Sequence, residues 1–309
     1  MRSSASAIGS PAPEMALRPP ILCSVIRGEV CGDPPDVIVP WWSITKSCIA
    51  ACALLLVADG RFELDRRMTG RSYTLRQVLQ HTGGLTCYTE HPDYDPAVDA
   101  HEDPWPDQRI IEQSKTIPLK FEPGQGWSYS NTGYFLIRRM IEQATGLDIE
   151  LALKELVLGP LGIGDTFIAR TRDDLRRSTF GDEDDFHPGW VRHGLLMGPP
   201  SGPALFMDGL FSGRLLPPPL LAEMKLRREV IVDLPDRPWR TAGYGLGLMM
   251  DIASPRGLCI GHSGQGPDSV SAAYHFPDLA VPLSVAAFSP TDDQGIVERA
   301  VLEEAARLR

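Results

Sequence analysis

The sequence predicts an α+β protein, an α/β/α sandwich whose antiparallel sheet is built from both ends of the chain around a mostly helical insertion. Three observations predict it. Strand-like segments sit at the two ends: I-L-C-S-V-I-R-G-E-V-C-G from residue 21, then Y-G-L-G-L-M-M-D, G-L-C-I-G-H-S-G, V-S-A-A-Y-H-F and L-S-V-A-A-F beyond residue 240. Helix start and stop signals fill the middle. The 309 residues are 43% hydrophobic and 23% charged, which is enough apolar material for a large core.

The elements follow in order. Residues 1–19 are rich in Ser, Pro and Ala and are expected to be loose. The first two strands form a hairpin turning at Arg27-Gly28. Residues 44–58 read as a buried helix stopped by Asp59-Gly60. T-L-R-Q-V-L-Q-H-T-G-G-L opens on a threonine cap and closes on a glycine turn. Residues 86–107, dense in Asp, His, Pro and aromatics, read as irregular. Helices follow at 131–145, ending at Gly146, and at 148–156. One more is expected near 219–228, after an acidic D-E-D-D loop. A helix over 294–308 closes the chain. The sheet portion is thus 20–42 with 240–309, the helical portion 43–239, and an active site would lie between them.

Composition excludes several functions. The net charge of −10 leaves no basic stripe for phosphates, so nucleic acid is not an expected partner. The longest apolar run, Cys48 to Ala58, is too short for a membrane helix, and the N-terminus lacks the apolar core of a secretory signal. A cytoplasmic protein acting on a small-molecule substrate is expected; oligomeric state is not legible. The six cysteines show no C-x-x-C spacing, and Cys48 and Cys52, one helical turn apart, read as small buried hydrophobes.

One pair of residues carries chemistry. In W-W-S-I-T-K-S-C-I-A-A-C, Ser43 and Lys46 stand three apart at the mouth of an apolar helix. Positions i and i+3 share a face, so the two side chains can touch. A serine hydroxyl is a poor nucleophile until a base takes its proton, and a lysine is a base only when neutral. Burial drives a lysine toward that state. The pair alone is a modest signal: 20 serines and 5 lysines in 309 positions give roughly 0.3 such pairs by chance.

Two further elements raise it. E-P-G-Q-G-W-S-Y-S-N-T-G-Y places Tyr129 and Asn131 on one side of an extended turn. Tyr129 can relay a proton, and Asn131 can hydrogen-bond the lysine and a substrate carbonyl. G-H-S-G-Q-G puts His262 and Gly264 on one face of a strand, with no side chain at 264 to block a substrate. The backbone N–H of Gln265 can then join that of Ser43 as an oxyanion hole.

S-I-T-K, Y-S-N and H-S-G, in this order, resemble the motif set of the serine β-lactamase and penicillin-binding-protein superfamily. The Tyr-x-Asn form is most similar to its class C branch, which also holds esterases, D-aminopeptidases, amidases and DD-peptidases. The resemblance runs from about residue 21 to the C-terminus. It implies a covalent acyl-enzyme on Ser43, with Lys46 and Tyr129 handling protons, Asn131, His262, Gly264 and Gln265 around the substrate, and neither metal nor organic cofactor. His262 stands where lactamases usually carry a carboxylate-gripping lysine, which favours an esterase or amidase over β-lactamase or DD-peptidase activity. It also places Tyr88, Tyr94 or Trp105 at the site mouth. The short N-terminal region leaves the sheet lacking cover or a strand, so a non-catalytic binding module is the alternative from another class.

Two rivals fail on pattern. G-H-S-G-Q-G lacks the closing glycine of a hydrolase elbow, and Asp268 and His275 lie too close behind it. The acidic and histidine residues from Glu90 to Asp103 match no metal template.

Overall fold

The two chain ends pair side by side in one antiparallel sheet. In chain order the strands are β1 (Ile21–Ile26), β2 (Glu29–Cys31), β3 (Val39–Pro40), β4 (Phe167–Ile168), β5 (Leu196–Gly198), β6 (Arg228–Glu229), β7 (Ala242–Tyr244), β8 (Met249–Ser254), β9 (Gly257–Gly266), β10 (Ser269–Phe276) and β11 (Leu283–Ser289). The helices are α1 (Thr45–Ala58), α2 (Leu75–Leu79), α3 (Tyr94–Asp99), α4 (Asp107–Thr116), α5 (Asn131–Thr145), α6 (Ile149–Leu153), α7 (Arg172–Leu175), α8 (Ser201–Phe211), α9 (Pro218–Met224) and α10 (Gln294–Arg307). This computed structural model describes residues 19–180, 185–230, 236–267 and 269–308. The segment expected to be loose, all but its last residue, most of the D-E-D-D loop and Asp268 lie outside the described residues.

The main sheet runs β2-β1-β11-β10-β9-β8-β7-β6, so β1 sits beside β11 as expected. The hairpin turns where Arg27 and Gly28 both take positive φ, at 53° and 84°, the turn that matches strand twist. Strands β10 and β11 are buried along their whole length, and period-2 alternation divides their side chains between two cores. Val270, Ala272, Tyr274, Leu283, Val285 and Ala287 pack with Val297 and Val301 of α10. Ala273, Ala286 and Phe288 face the larger helical core. Helix α8 lies against β1, β10 and β11, so the sheet has cover on both faces, contrary to the expected gap.

Helix α1 is buried almost all round, from Thr45 through Leu54, which makes it the central helix of that core. A lysine in its first turn has no route to water. A smaller sheet, β3-β5-β4, holds the chain just before α1 beside the chain just before α8.

Three expectations need correction. The stretch 86–107, expected to be irregular, contains α3 and ends where α4 begins. Y-G-L-G-L-M-M-D breaks into β7 and β8 at a turn containing Gly247, whose φ is 75°. Helix α8 was missed because S-G-P-A-L-F-M-D-G-L-F reads as turn. Its proline falls in the first turn, where no backbone donor is lost, and Gly202 is demanded by the Trp41 ring, which would occupy the space of any Cβ.

Candidate active site

Ser43 lies in a 3-10 turn, Trp42–Ile44, that feeds directly into α1. Trp42 takes φ 45°, a left-handed conformation unusual for a bulky residue and one that the sequence does not announce. The sheet holds it there: the Trp42 indole donates to Ser269 Oγ at 3.0 Å, and Ser271 Oγ donates to the Trp41 carbonyl at 3.0 Å. Gly264 of β9 packs against this turn so closely that a Cβ would stand 2.6 Å from the Ser43 nitrogen. The bare glycine thus brings strand β9 onto the Ser43 backbone.

Lys46 is fully buried, and its Nζ lies 3.0 Å from Ser43 Oγ. Burial lowers its pKa from the ordinary lysine range to about 7, with a small opposing contribution from Cys87. The amine's second partner is His193 Nε2 at 3.1 Å, not Asn131 as expected. Tyr129 is half-buried, has its hydroxyl close enough to Ser43 to act on its ionisation, and has its ring centroid 5.0 Å from Lys46 Nζ. Desolvation raises its phenol well above the ordinary value, so the hydroxyl stays protonated.

Ser130, rather than Asn131, caps α5 by accepting from the Gly133 N–H. That leaves the Asn131 side chain on the wall of the cavity, while its backbone N–H donates to Cys87 Sγ at 3.3 Å. His262 and Gly264 share a face as expected, yet His262 is fully buried behind the cavity wall. Its Nδ1–H donates to the Ser263 carbonyl at 2.5 Å and its Nε2 accepts from the Tyr244 hydroxyl at 3.0 Å. Burial first, and then Lys46 nearby, bring its pKa down to about 3, so the ring is neutral. His81, missed in the sequence although it lies in H-T-G-G, is a third buried neutral histidine beside Tyr129, with ring centroids 4.3 Å apart.

Ser43, Tyr129, Asn131 and Gln265 open onto one cavity of about 440 Å3. Its apolar walls are Trp127, Trp239, Tyr244, Tyr274, Met249 and Met250. Arg237 is the charged group among the described lining residues, and it is ion-paired to the buried carboxylate of Glu298. Tyr88, Tyr94 and Trp105, expected at the mouth, instead pack with Trp190 in a separate aromatic cluster.

Comparison with known proteins decides the family. The Beta-lactamase family model matches residues 34–307. The chain belongs to that family. Among curated members, it is 28% identical over 181 residues to the lovastatin esterase of Penicillium rubens, covering 50% of this chain and 45% of that one. It is 32% identical over 145 residues to penicillin-binding protein 4* of Bacillus subtilis, covering 42% of this chain and 30% of that one. The alignments thus span less than half the length of these curated relatives. Among solved structures, a D-stereospecific amidohydrolase from Streptomyces sp. superposes with a TM-score of 0.76 at 26% identity, covering 94% of each chain. A D-amino acid amidase from Ochrobactrum anthropi SV3 matches with the same TM-score, 0.76, at 24% identity over 93% of this chain and 94% of that one, which speaks for the shared β-lactamase fold.

Proposed function

We propose that the protein is a serine hydrolase that cleaves esters or amides lacking a carboxylate through a covalent acyl-enzyme. The observation that carries this is the 3.0 Å contact between Ser43 Oγ and the fully buried amine of Lys46. Neutral Lys46 takes the seryl proton as Ser43 Oγ bonds to the substrate carbonyl carbon. The oxyanion that forms is held by the backbone N–H groups of Ser43 and Gln265. Collapse of the intermediate breaks the bond to the alcohol or amine, which leaves with a proton delivered through Tyr129. Water then attacks the acyl-Ser43 ester by the reverse proton path and releases the acid. Asn131 is placed to orient the substrate carbonyl, and His262, from behind, fixes the aromatic wall.

The lysine sets the pH dependence. A base must be neutral, and the Lys46 pKa of about 7 puts half of it in that form near neutrality. We expect kcat/KM to rise with pH through a single ionisation near 7 and then to plateau, because Tyr129 keeps its proton. A profile that is flat from pH 5 to 9 would remove Lys46 from the role of base.

Substrate charge follows from the lining. The buried neutral His262 offers no cation, and Arg237, the charged group among the described lining residues, already faces Glu298, so these residues offer a substrate carboxylate no unpaired positive charge. A p-nitrophenyl ester or a D-amino-acid amide is expected to exceed nitrocefin in kcat/KM by about tenfold or more, the scale of one lost charge-assisted hydrogen bond. These three substrates, run side by side, test the reading. Nitrocefin turned over fastest would make β-lactamase the function.

A further inference from the structure

His193 belongs to none of the three motifs, yet it is the hydrogen-bond partner of Lys46 Nζ beside Ser43 among the described residues. It sits in the turn that leads into β5, and that turn is fastened on both sides. The Leu196 N–H donates to Thr45 Oγ1 at 3.2 Å, and the Trp41 N–H donates to the Leu196 carbonyl at 2.9 Å. Arg138 donates to the Arg192 carbonyl at 3.0 Å, and the Tyr88 hydroxyl to the Trp190 carbonyl at 2.6 Å. The ring is 2% exposed, and its Nδ1 is buried with no hydrogen-bond partner among the described residues. An imidazole left with an orphaned Nδ1 loses stability, so its place here calls for a return.

We infer that His193 is the positioning residue for the general base, its Nε2 accepting a hydrogen bond from Lys46 Nζ and so aiming the amine at Ser43. This rests on the hydrolase reading above. A neutral amine has two N–H groups and one lone pair. With one N–H held by His193 at 3.1 Å, the lone pair is free to meet the Ser43 proton at 3.0 Å. Once Lys46 has taken that proton, the same hydrogen bond becomes charge-assisted and stabilises the ammonium. His193 itself gains and loses no proton. An Nδ1–H tautomer is the form that leaves Nε2 free to accept.

The surroundings keep that tautomer neutral. Burial first, then Lys46, His262, Arg138 and His81, all lower the pKa of His193. Around the amine itself stand Ser43, Tyr129, Tyr134, Cys87, His81 and His262, and no carboxylate is among these described neighbours. His193 thus supplies a neutral acceptor where a carboxylate would fix the lysine permanently as a cation.

The test separates acceptor from shape. His193→Gln keeps an acceptor at the reach of Nε2; His193→Phe and His193→Leu fill the space without one. The readouts are kcat and KM for the best ester, the pH profile, and the rate of fluorophosphonate labelling at Ser43, with thermal melting to check folding. The two acceptor-free variants should lose roughly 10–100-fold in kcat and labelling, the scale of a misaimed catalytic group, with KM little changed. The limb near pH 7 should move to lower pH, because the ammonium has lost an acceptor. His193→Gln should recover most of the rate and restore the limb. Acceptor-free variants that match the parent in rate and profile overturn the inference. So does a glutamine variant as slow as the others while melting like the parent. If the parent takes no label at Ser43, the hydrolase reading fails separately. Lysine 13Cε NMR, with only 5 lysines to assign, then still decides on His193. The Lys46 midpoint should drop in His193→Phe and hold in His193→Gln; no drop overturns the assignment.

Discussion

Ser43→Ala is expected to abolish ester hydrolysis, with kcat falling on the order of 10³-fold or more, as for other nucleophile deletions. The fold should survive the change. Ser43 is half-buried in a turn held by Trp41 and Trp42, and among the described residues its Oγ bonds the Lys46 side chain rather than any backbone group. Intact-mass spectrometry after fluorophosphonate treatment should show one adduct on the parent and none on the variant. An adduct on the alanine variant would place the nucleophile elsewhere. The loss should appear in kcat while KM is largely kept, because the apolar walls of Trp127, Trp239 and the methionines are untouched.

The contact between Ser43 and Lys46 was legible because positions i and i+3 share a helical face, and local spacing is what a sequence displays. Tyr129 and Asn131 were legible for the same reason, standing two apart on either side of the extended Ser130. His193 was not. It lies 147 residues from Lys46 in sequence, and only the small β3-β5-β4 sheet brings W-V-R-H-G-L beside the first turn of α1. The sheet was read correctly from its ends, since strands β9, β10 and β11 follow one another at short range. Helix α8 was hidden because its glycines answer to distant side chains, Gly202 to Trp41 and Gly209 to Leu161. The placement of His262 was half read. Alternation gave its face, but not its depth behind Tyr244, because burial along a strand depends on which neighbour covers the edge. Trp42 at φ 45° had no signal at all, being set by sheet contacts that the residue types do not encode.

Lys46→Arg is expected to be nearly inactive, down on the order of 10³-fold, since a guanidinium keeps its proton and cannot serve as a base. That variant also forces a permanent charge into a fully buried site facing His81, His193 and His262, so it is also expected to lose stability. Lys46→Met separates the two effects. It should be equally inactive, and yet melt at or above the parent at pH 6. The sign follows from linkage. The folded-state pKa of about 7 lies below the unfolded lysine value of ~10.4. Between these values the unfolded chain binds the extra proton, so the parent gains stability as pH rises and loses it as pH falls toward 7. Below about 7 the parent carries the whole penalty of burying the ammonium, on the order of a few kcal/mol. Methionine carries none of it, and its loss of the bonds to Ser43 and His193 offsets only part of the gain. The stability gap between Lys46→Met and the parent should therefore be widest below pH 7 and close steadily toward pH 10. Denaturant melts at pH 6, 8 and 10 measure it. A gap that does not change with pH would mean that Lys46 is no more neutral in the folded protein than in the unfolded chain, and the general-base assignment would fall with it.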